Sequence, residues 1–140
     1  ILRTELDQFR EFFDFALPTH AKKWTSNGFE WDQTGCKSEC SWFGFMIRVQ
    51  NNSPFSASDL AGYLDKKKIG NRMLFGGNLI RQPAFLQLKQ DRKDSFRVVG
   101  NLKGSDQLMN QALFLGTYPG LSEKMLEYEI SVIKKFIKEK

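Results

Sequence analysis

The segment Trp42-Phe43-Gly44-Phe45-Met46-Ile47-Arg48-Val49 runs into Asn51, Asn52, Ser53 and Pro54, and then into a stretch from Ser56 in which Leu60 and Leu64 fall one turn apart. The first part is short, aromatic, and β-branched at its end. It is apolar on both faces, which predicts a central strand. The four residues after it are turn formers and close it. Ser56 is a good helix N-cap, and Asp59 three residues on makes a shorter relative of the capping box. Phe55 and Leu60 occupy the positions of a hydrophobic staple. The helix should end near Lys68, because Gly70 follows. A central strand followed by a capped amphipathic helix asks for a sheet with helices packed on it.

The rest of the chain extends this unit. Downstream, Ala112-Leu113-Phe114-Leu115 predicts a second apolar strand, ended by Gly116-Thr117-Tyr118-Pro119-Gly120. A last helix starts at Ser122, with Leu121 and Leu126 as staple and Leu126, Ile130, Ile133 and Ile137 as its buried stripe. A short helix over 106–110, capped by Ser105 or Asp106, precedes that strand. Upstream, Leu2, Leu6, Phe9 and Phe13 recur at helical spacing, so residues 4–17 read as one amphipathic helix stopped by Pro18. His20 to Glu39 reads as a short helical segment and a long loop, with turns at Asn27-Gly28 and Thr34-Gly35. Residues 72–75 extend briefly, Gly76-Gly77-Asn78 turns, and Pro83 holds Gln82 extended. Residues 87–95, with Lys89, Asp91, Arg92, Lys93 and Asp94, read as an exposed loop, and 96–99 as a short edge strand. The expected class is α+β: a two-layer domain with a small, mainly antiparallel sheet packed with helices.

At 140 residues the chain is one domain's worth, and 41% hydrophobic residues with 13 Phe are enough for an ordinary core. No apolar run approaches the roughly 20 residues of a membrane span, and no signal-peptide pattern opens the chain. Cys36 and Cys40 read as free thiols of a reducing, cytoplasmic compartment. The chain begins at Ile1, directly on a helical pattern, which reads as a cut from a longer protein. The net charge of +5 invites a nucleic-acid reading. The lysines, however, cluster at helix ends (Lys66 to Lys68, and Lys134 to Lys140), where the helix dipole favours them without a ligand. Neither nucleic acid nor membrane is expected as a partner.

Little of the usual catalytic vocabulary is present. His20 is the one histidine, and nothing beside it suggests an oriented base. There is no metal motif, phosphate loop or dinucleotide fingerprint. The segment that resists a bland reading is Asn71-Arg72-Met73-Leu74-Phe75-Gly76-Gly77-Asn78-Leu79-Ile80-Arg81-Gln82-Pro83. Guanidinium groups recognise phosphate or carboxylate, an asparagine serves sugar hydroxyls, and glycine lets backbone approach a ligand. The competing reading is a loop whose arginines pair with local acids, Arg72 with Asp65 for instance. In Gly116 to Ser122, turn and cap chemistry accounts for Pro119, Gly120 and Ser122 and leaves Tyr118 over as a possible ligand contact.

At these residues the chain resembles the CDP-4-keto-6-deoxyglucose 3-dehydrase group of the DegT/DnrJ/StrS sugar aminotransferase-like family. Besides the Arg72 to Pro83 run, Ser41-Trp42-Phe43-Gly44-Phe45, Lys68-Ile69-Gly70, Arg97-Val98-Val99-Gly100-Asn101-Leu102 and Gly116-Thr117-Tyr118-Pro119-Gly120-Leu121 agree in order. The resemblance implies that residues 1–140 are the C-terminal small domain of a fold-type-I enzyme, whose large cofactor domain lies outside the chain. It implies pyridoxamine 5'-phosphate or pyridoxal 5'-phosphate as cofactor in the parent, a homodimer, and a nucleotide-linked 4-keto-6-deoxyhexose as substrate; some relatives carry an iron–sulfur cluster in the large domain and use a partner reductase. The parent reaction removes the 3-hydroxyl on the way to the 3,6-dideoxysugars of lipopolysaccharide O-antigen. No catalytic residue and no metal ligand is expected within residues 1–140, and the chain alone is expected to be inactive. By motif position Arg72, Phe75, Asn78 and Arg81 are the candidates for a substrate-facing loop, joined by Tyr118. Arg72 or Arg81 would meet the diphosphate or an acidic partner, Asn78 the sugar hydroxyls, and Phe75 would wall the pocket. The alternatives are the small domain of a nucleotide-sugar aminotransferase, or an interaction module without chemistry.

Overall fold

A computed structural model of the chain describes residues 1–92 and 94–140. The elements run α1 (Leu2–Leu6), a 3-10 turn (Asp7–Phe9), β1 (Phe13–Phe15), β2 (Ala21–Thr25), β3 (Gly28–Trp31), β4 (Gly44–Val49), α2 (Ala57–Lys66), β5 (Asn71–Met73), a second 3-10 turn (Leu79–Arg81), α3 (Pro83–Asp91), α4 (Lys103–Gln111), β6 (Ala112–Gly116) and α5 (Glu123–Lys138). The two strands expected from the sequence, β4 and β6, lie at the centre of a four-stranded sheet of order β1-β4-β6-β5. Each neighbouring pair is antiparallel. β2 and β3 form a separate hairpin. Helices and an antiparallel sheet make the α+β domain expected from the sequence.

Register decides what each face carries, because directly opposed residues point the same way. The pairs Phe13↔Val49, Phe15↔Ile47, Ile47↔Leu113 and Phe45↔Leu115 put one apolar face together. Leu60 and Leu64 of α2 and Ile130, Ile133 and Phe136 of α5 complete the core over it. Phe55 stacks on Phe13 at 5.9 Å and on Phe136 at 4.8 Å, joining sheet to helix. The opposite face carries Asp14, Arg48, Met46, Phe114 and Arg72, through the pairs Asp14↔Arg48, Met46↔Phe114 and Arg72↔Phe114. Arg48 and Asp14 form an ion pair across β1 and β4.

The capping box at α2 is complete. Ser56 Oγ accepts from Asp59 N at 3.1 Å, and Ser56 N donates to Asp59 Oδ2 at 2.8 Å. The Ser56 backbone N–H holds the Asp59 carboxyl below its ordinary value. Ser56→Ala is expected to cost about 1 kcal/mol, read as a shift in the urea midpoint with unchanged slope. A variant as stable as the parent chain would remove the cap from the account of this helix.

Several sequence expectations change. The single helix over 4–17 is instead α1, a 3-10 turn and β1. Leu2 and Leu6 obey the helical period, but Phe13 and Phe15 obey the strand period, and pairing with β4 decides between them. The stretch from His20 to Glu39 contains the β2–β3 hairpin in place of a helical segment. Trp24, Phe29 and Trp31 stack along it at 4.9 and 5.8 Å. Within 87–95, helix α3 runs to Asp91, because Pro83 at the first helical position starts it. Lys93 lies outside the described residues. Residues 96–99 form no strand. Helix α4 is capped at Leu102 in place of Ser105 or Asp106, with Asn101 Oδ1 accepting from Lys103 N at 3.1 Å.

Candidate functional site

The loop after β5 is built around one carboxylate. Leu74 N donates to Ala112 O at 3.3 Å as the strand leaves the sheet. The chain then turns at Gly77, whose φ of +57° suits glycine. A side chain has no room there, because a Cβ on Gly77 would lie 2.4 Å from Met109 Cγ of α4. Seated against α4 in this way, the loop delivers Asn78 and Arg81 to Asp106 on the same helix. Asn78 Nδ2 donates to Asp106 Oδ1 at 2.7 Å. Arg81 donates Nε to Oδ1 at 3.2 Å and its terminal nitrogen to Oδ2 at 3.0 Å. Gln82 Nε2 donates to Gly76 O at 2.7 Å and closes the loop on itself.

Arg81 first, and Asn78 second, hold the Asp106 carboxyl below its ordinary value. A depressed carboxyl supports the fold above its unfolded pKa, and this support is lost as pH falls through the folded value. The clamp is therefore intact at neutral pH and opens only on acidification below the usual carboxylate range. Asp106→Asn is expected to loosen the loop already at neutral pH, seen as loss of the dispersed Asn78 side-chain amide signals in NMR. Signals that stay dispersed in the variant would assign the loop's order to the Gly77–Met109 packing alone.

Arg72 stands apart from this clamp. It is exposed, and it donates to the neighbouring Asn71 carbonyl at 3.0 Å. Among the described residues it has no carboxylate partner. Asp65, its partner in the competing reading, accepts from Asn71 Nδ2 at 2.8 Å instead. Phe75 is 73% exposed and has a φ of +38°, strained for a side chain of its size. Its ring meets Phe43 at 5.5 Å and Phe114 at 5.3 Å, while Phe43 meets Phe114 at 5.6 Å.

Arg72, Phe75, Asn78 and Arg81 thus share one region, at the end of β5 and the start of β6. Tyr118 does not join them. It follows β6 at the Gly116 end, where Gly44 of β4 pairs and Thr117 donates to the Trp42 carbonyl. Its ring lies over Gly120, where a Cβ would come within 2.5 Å of it. Tyr118 borders a cavity of about 490 Å³ with Arg3, Trp24, Trp42 and Phe45. Arg3 is stacked 4.3 Å from the Phe15 ring centroid. Its NH1 is 2.7 Å from Asp7 Oδ1 yet off the line of a hydrogen bond.

Two residues join this region that the sequence does not mark as site candidates: Asp106, which reads as a helix cap, and Phe43, which reads as part of a strand and of the Ser41 to Phe45 family piece. Nothing local marks either of them, since their partners lie 25 or more residues away. His20 Nδ1 pairs with Asp32 Oδ2 at 3.1 Å on the surface, and Cys36 and Cys40 are exposed and free. Among the described residues no cluster of His, Cys, Asp or Glu could hold a metal ion. The loop's donors are turned inward onto Asp106 and Gly76 and do not form a phosphate cradle for a pyridoxal-type cofactor. The arrangement thus sets, among the described residues, a guanidinium without a carboxylate partner on β5 and an exposed aromatic surface next to a clamped loop.

Residues 9–134 match the model of the DegT/DnrJ/EryC1/StrS aminotransferase family. The chain is 45% identical over 100 residues to the lipopolysaccharide biosynthesis protein RfbH of Salmonella typhimurium, covering 71% of this chain and 22% of that protein. It is 35% identical over 100 residues to the dTDP-4-dehydro-2,6-dideoxy-D-glucose 3-dehydratase of Saccharopolyspora spinosa, covering 71% and 20%. The match therefore spans about a fifth of the length of these curated relatives. In fold it is similar to the E. coli GDP-4-keto-6-deoxy-D-mannose-3-dehydratase solved with bound hydrated PLP, at a TM-score of 0.62 and 22% identity, over 93% of this chain and 28% of that one.

Proposed function

The chain belongs to the DegT/DnrJ/EryC1/StrS aminotransferase family, and we propose that it is the C-terminal small domain of a pyridoxamine-phosphate-dependent nucleotide-sugar 3-dehydrase. The observation that carries the geometric part of this reading is the loop of 74–82, clamped by Asp106 with Arg72 left unpaired beside it. A clamped loop is a pre-organised one, and pre-organisation is what a substrate-binding surface needs. The identity to RfbH and to a named sugar 3-dehydratase supports the choice of chemistry within the family.

In this reading the parent is a homodimer acting on a nucleotide-linked 4-keto-6-deoxyhexose in the cytoplasm, and removes the 3-hydroxyl as a step toward lipopolysaccharide dideoxysugars. A reductase partner belongs to the same proposal. The cofactor, when bound in the large domain, supplies the electron sink for losing the hydroxyl. The residues described here bind and orient. Arg72 holds an anionic part of the substrate, and Phe75 walls the site and excludes water. Asn78 and Arg81 keep the loop in place through Asp106. Tyr118, on the opposite end of β6, serves a second contact and not the sugar itself.

The test is to express the whole coding sequence around this chain and to supply pyridoxamine phosphate and a nucleotide-linked 4-keto-6-deoxyhexose. Loss of the 3-hydroxyl, followed by mass spectrometry, is the expected result, and the 140-residue chain alone should give none. Transfer of an amine to the sugar without loss of the hydroxyl would make the parent an aminotransferase. Turnover by the chain alone would overturn the assignment of the chemistry to the large domain.

A further inference from the structure

We infer that the exposed rings of Phe43 and Phe75, with Arg72 beside them, hold the nucleoside diphosphate end of the substrate: the base lies on the rings and the diphosphate on the guanidinium. This rests on the nucleotide-sugar reading above and names the part of the substrate that this face meets.

Phe43 and Phe75 are 74% and 73% exposed, in a chain that buries Phe13, Phe55, Phe114 and Phe136. They do not stand singly. Each meets the other and the buried Phe114, so Phe114 is the floor of a three-ring surface. Adjoining apolar side chains exposed in this way mark a surface that is covered in use. Arg72 stands directly opposite Phe114 in the β5–β6 ladder, so both side chains leave the same face of the sheet. Paired Cβ atoms lie about 5 Å apart, and the long arginine side chain reaches further along that face.

The charges around this surface favour an anion. Asp14 is paired with Arg48, Asp65 accepts from Asn71, and Asp106 accepts from Arg81 and Asn78. Arg72 is left as a cation without a carboxylate among the described residues. A purely apolar partner would cover the rings and strand that charge. A base with a diphosphate uses both, since any base stacks on an aromatic face and guanidinium suits phosphate.

The test titrates the full 140-residue chain with CDP, cytidine and pyrophosphate, followed by NMR. CDP should bind more tightly than either of its parts. Phe43→Ser should weaken CDP and cytidine at least about fivefold and leave pyrophosphate unchanged. Arg72→Ala should weaken CDP and pyrophosphate and leave cytidine unchanged. A thermal melt of each variant checks that it folds. No CDP binding at millimolar concentration, or equal CDP binding by Phe43→Ser, overturns the placement. So does a dimer in sedimentation that Phe43→Ser abolishes while CDP stays unbound, since the rings would then meet a second copy. The wider reading fails separately. If the whole enzyme turns over a nucleotide sugar with a KM that Phe43→Ser leaves unchanged, only this placement is lost; if it turns over none, the nucleotide-sugar reading is lost.

Discussion

Gly77→Ala is expected to destabilise the protein by about 2–4 kcal/mol, more than any other single-methyl change in the loop. Two costs coincide there. The first is conformational: a φ of +57° is a left-handed geometry that a side chain disfavours by roughly 1 kcal/mol or more. The second is steric. The new methyl would lie 2.4 Å from Met109 Cγ, 2.6 Å from its Cβ and 3.1 Å from its Cα. The end of the Met109 side chain can swing away, but its Cβ and Cα are fixed by helix α4. Relief therefore requires the loop to lift, and lifting it stretches the bonds from Asn78 and Arg81 to Asp106. Urea denaturation followed by circular dichroism measures the loss. The neighbouring Gly76→Ala is the control, because its Cβ would meet only the end of the Leu79 side chain, at 3.2 Å. Equal, small losses at both glycines would mean that the loop is not seated on α4.

Arg72→Ala in the intact enzyme is expected to lower kcat/KM roughly ten- to hundredfold and to leave the melting temperature nearly unchanged. Losing a charge-assisted hydrogen bond to a ligand costs about 1.5–3 kcal/mol, which sets that range. The structure gives the reason for the unchanged stability. Arg72 is exposed and its internal bond is to the adjacent Asn71 carbonyl, which water can replace. The structural role once open to it, pairing with Asp65, is filled by Asn71. Arg72→Lys should restore activity only in part, because an ammonium is a single charge without the planar pair of donors. Measured together, steady-state kinetics and melting separate the two roles. Unchanged kinetics with a large drop in melting temperature would assign Arg72 to structure.

Much of the fold was legible because its signals are local. The Ser56–Asp59 box, the Ser122 cap and the stripe containing Ile130 and Ile133 are each written within a turn or two of helix. The central strands are short apolar runs, β4 apolar on both faces, each closed by turn formers. The misread parts are those where two periods overlap or partners are remote. Leu2, Leu6, Phe9 and Phe13 keep a helical spacing, and only the pairing of Phe13 with Val49 turns the last of them into a strand. The β2–β3 hairpin did carry a local signal, Asn27-Gly28 between aromatic residues, and that pattern favours a hairpin over a helical segment. For the candidate site, the sequence singles out the segment 71–83 but not how its side chains are held. Asn78 and Arg81 look like Arg72 as residue types. That two of the three are tied to Asp106 and the third is not depends on how α4 packs, and no spacing within 71–83 encodes it.

β5 is three residues long and lies at the edge of the sheet, with a ladder to β6 on one side. A strand held along one side can peel from its neighbour without opening the core behind it. The cost of such a local opening is set by a few hydrogen bonds and by the hold on Asp106, not by the global stability of the domain. The peptide bonds between β5 and α3 should accordingly be cut by a protease faster in Asp106→Asn than in the parent chain under native conditions. A bound nucleotide that bridges strand and loop should slow that cleavage by latching the edge shut.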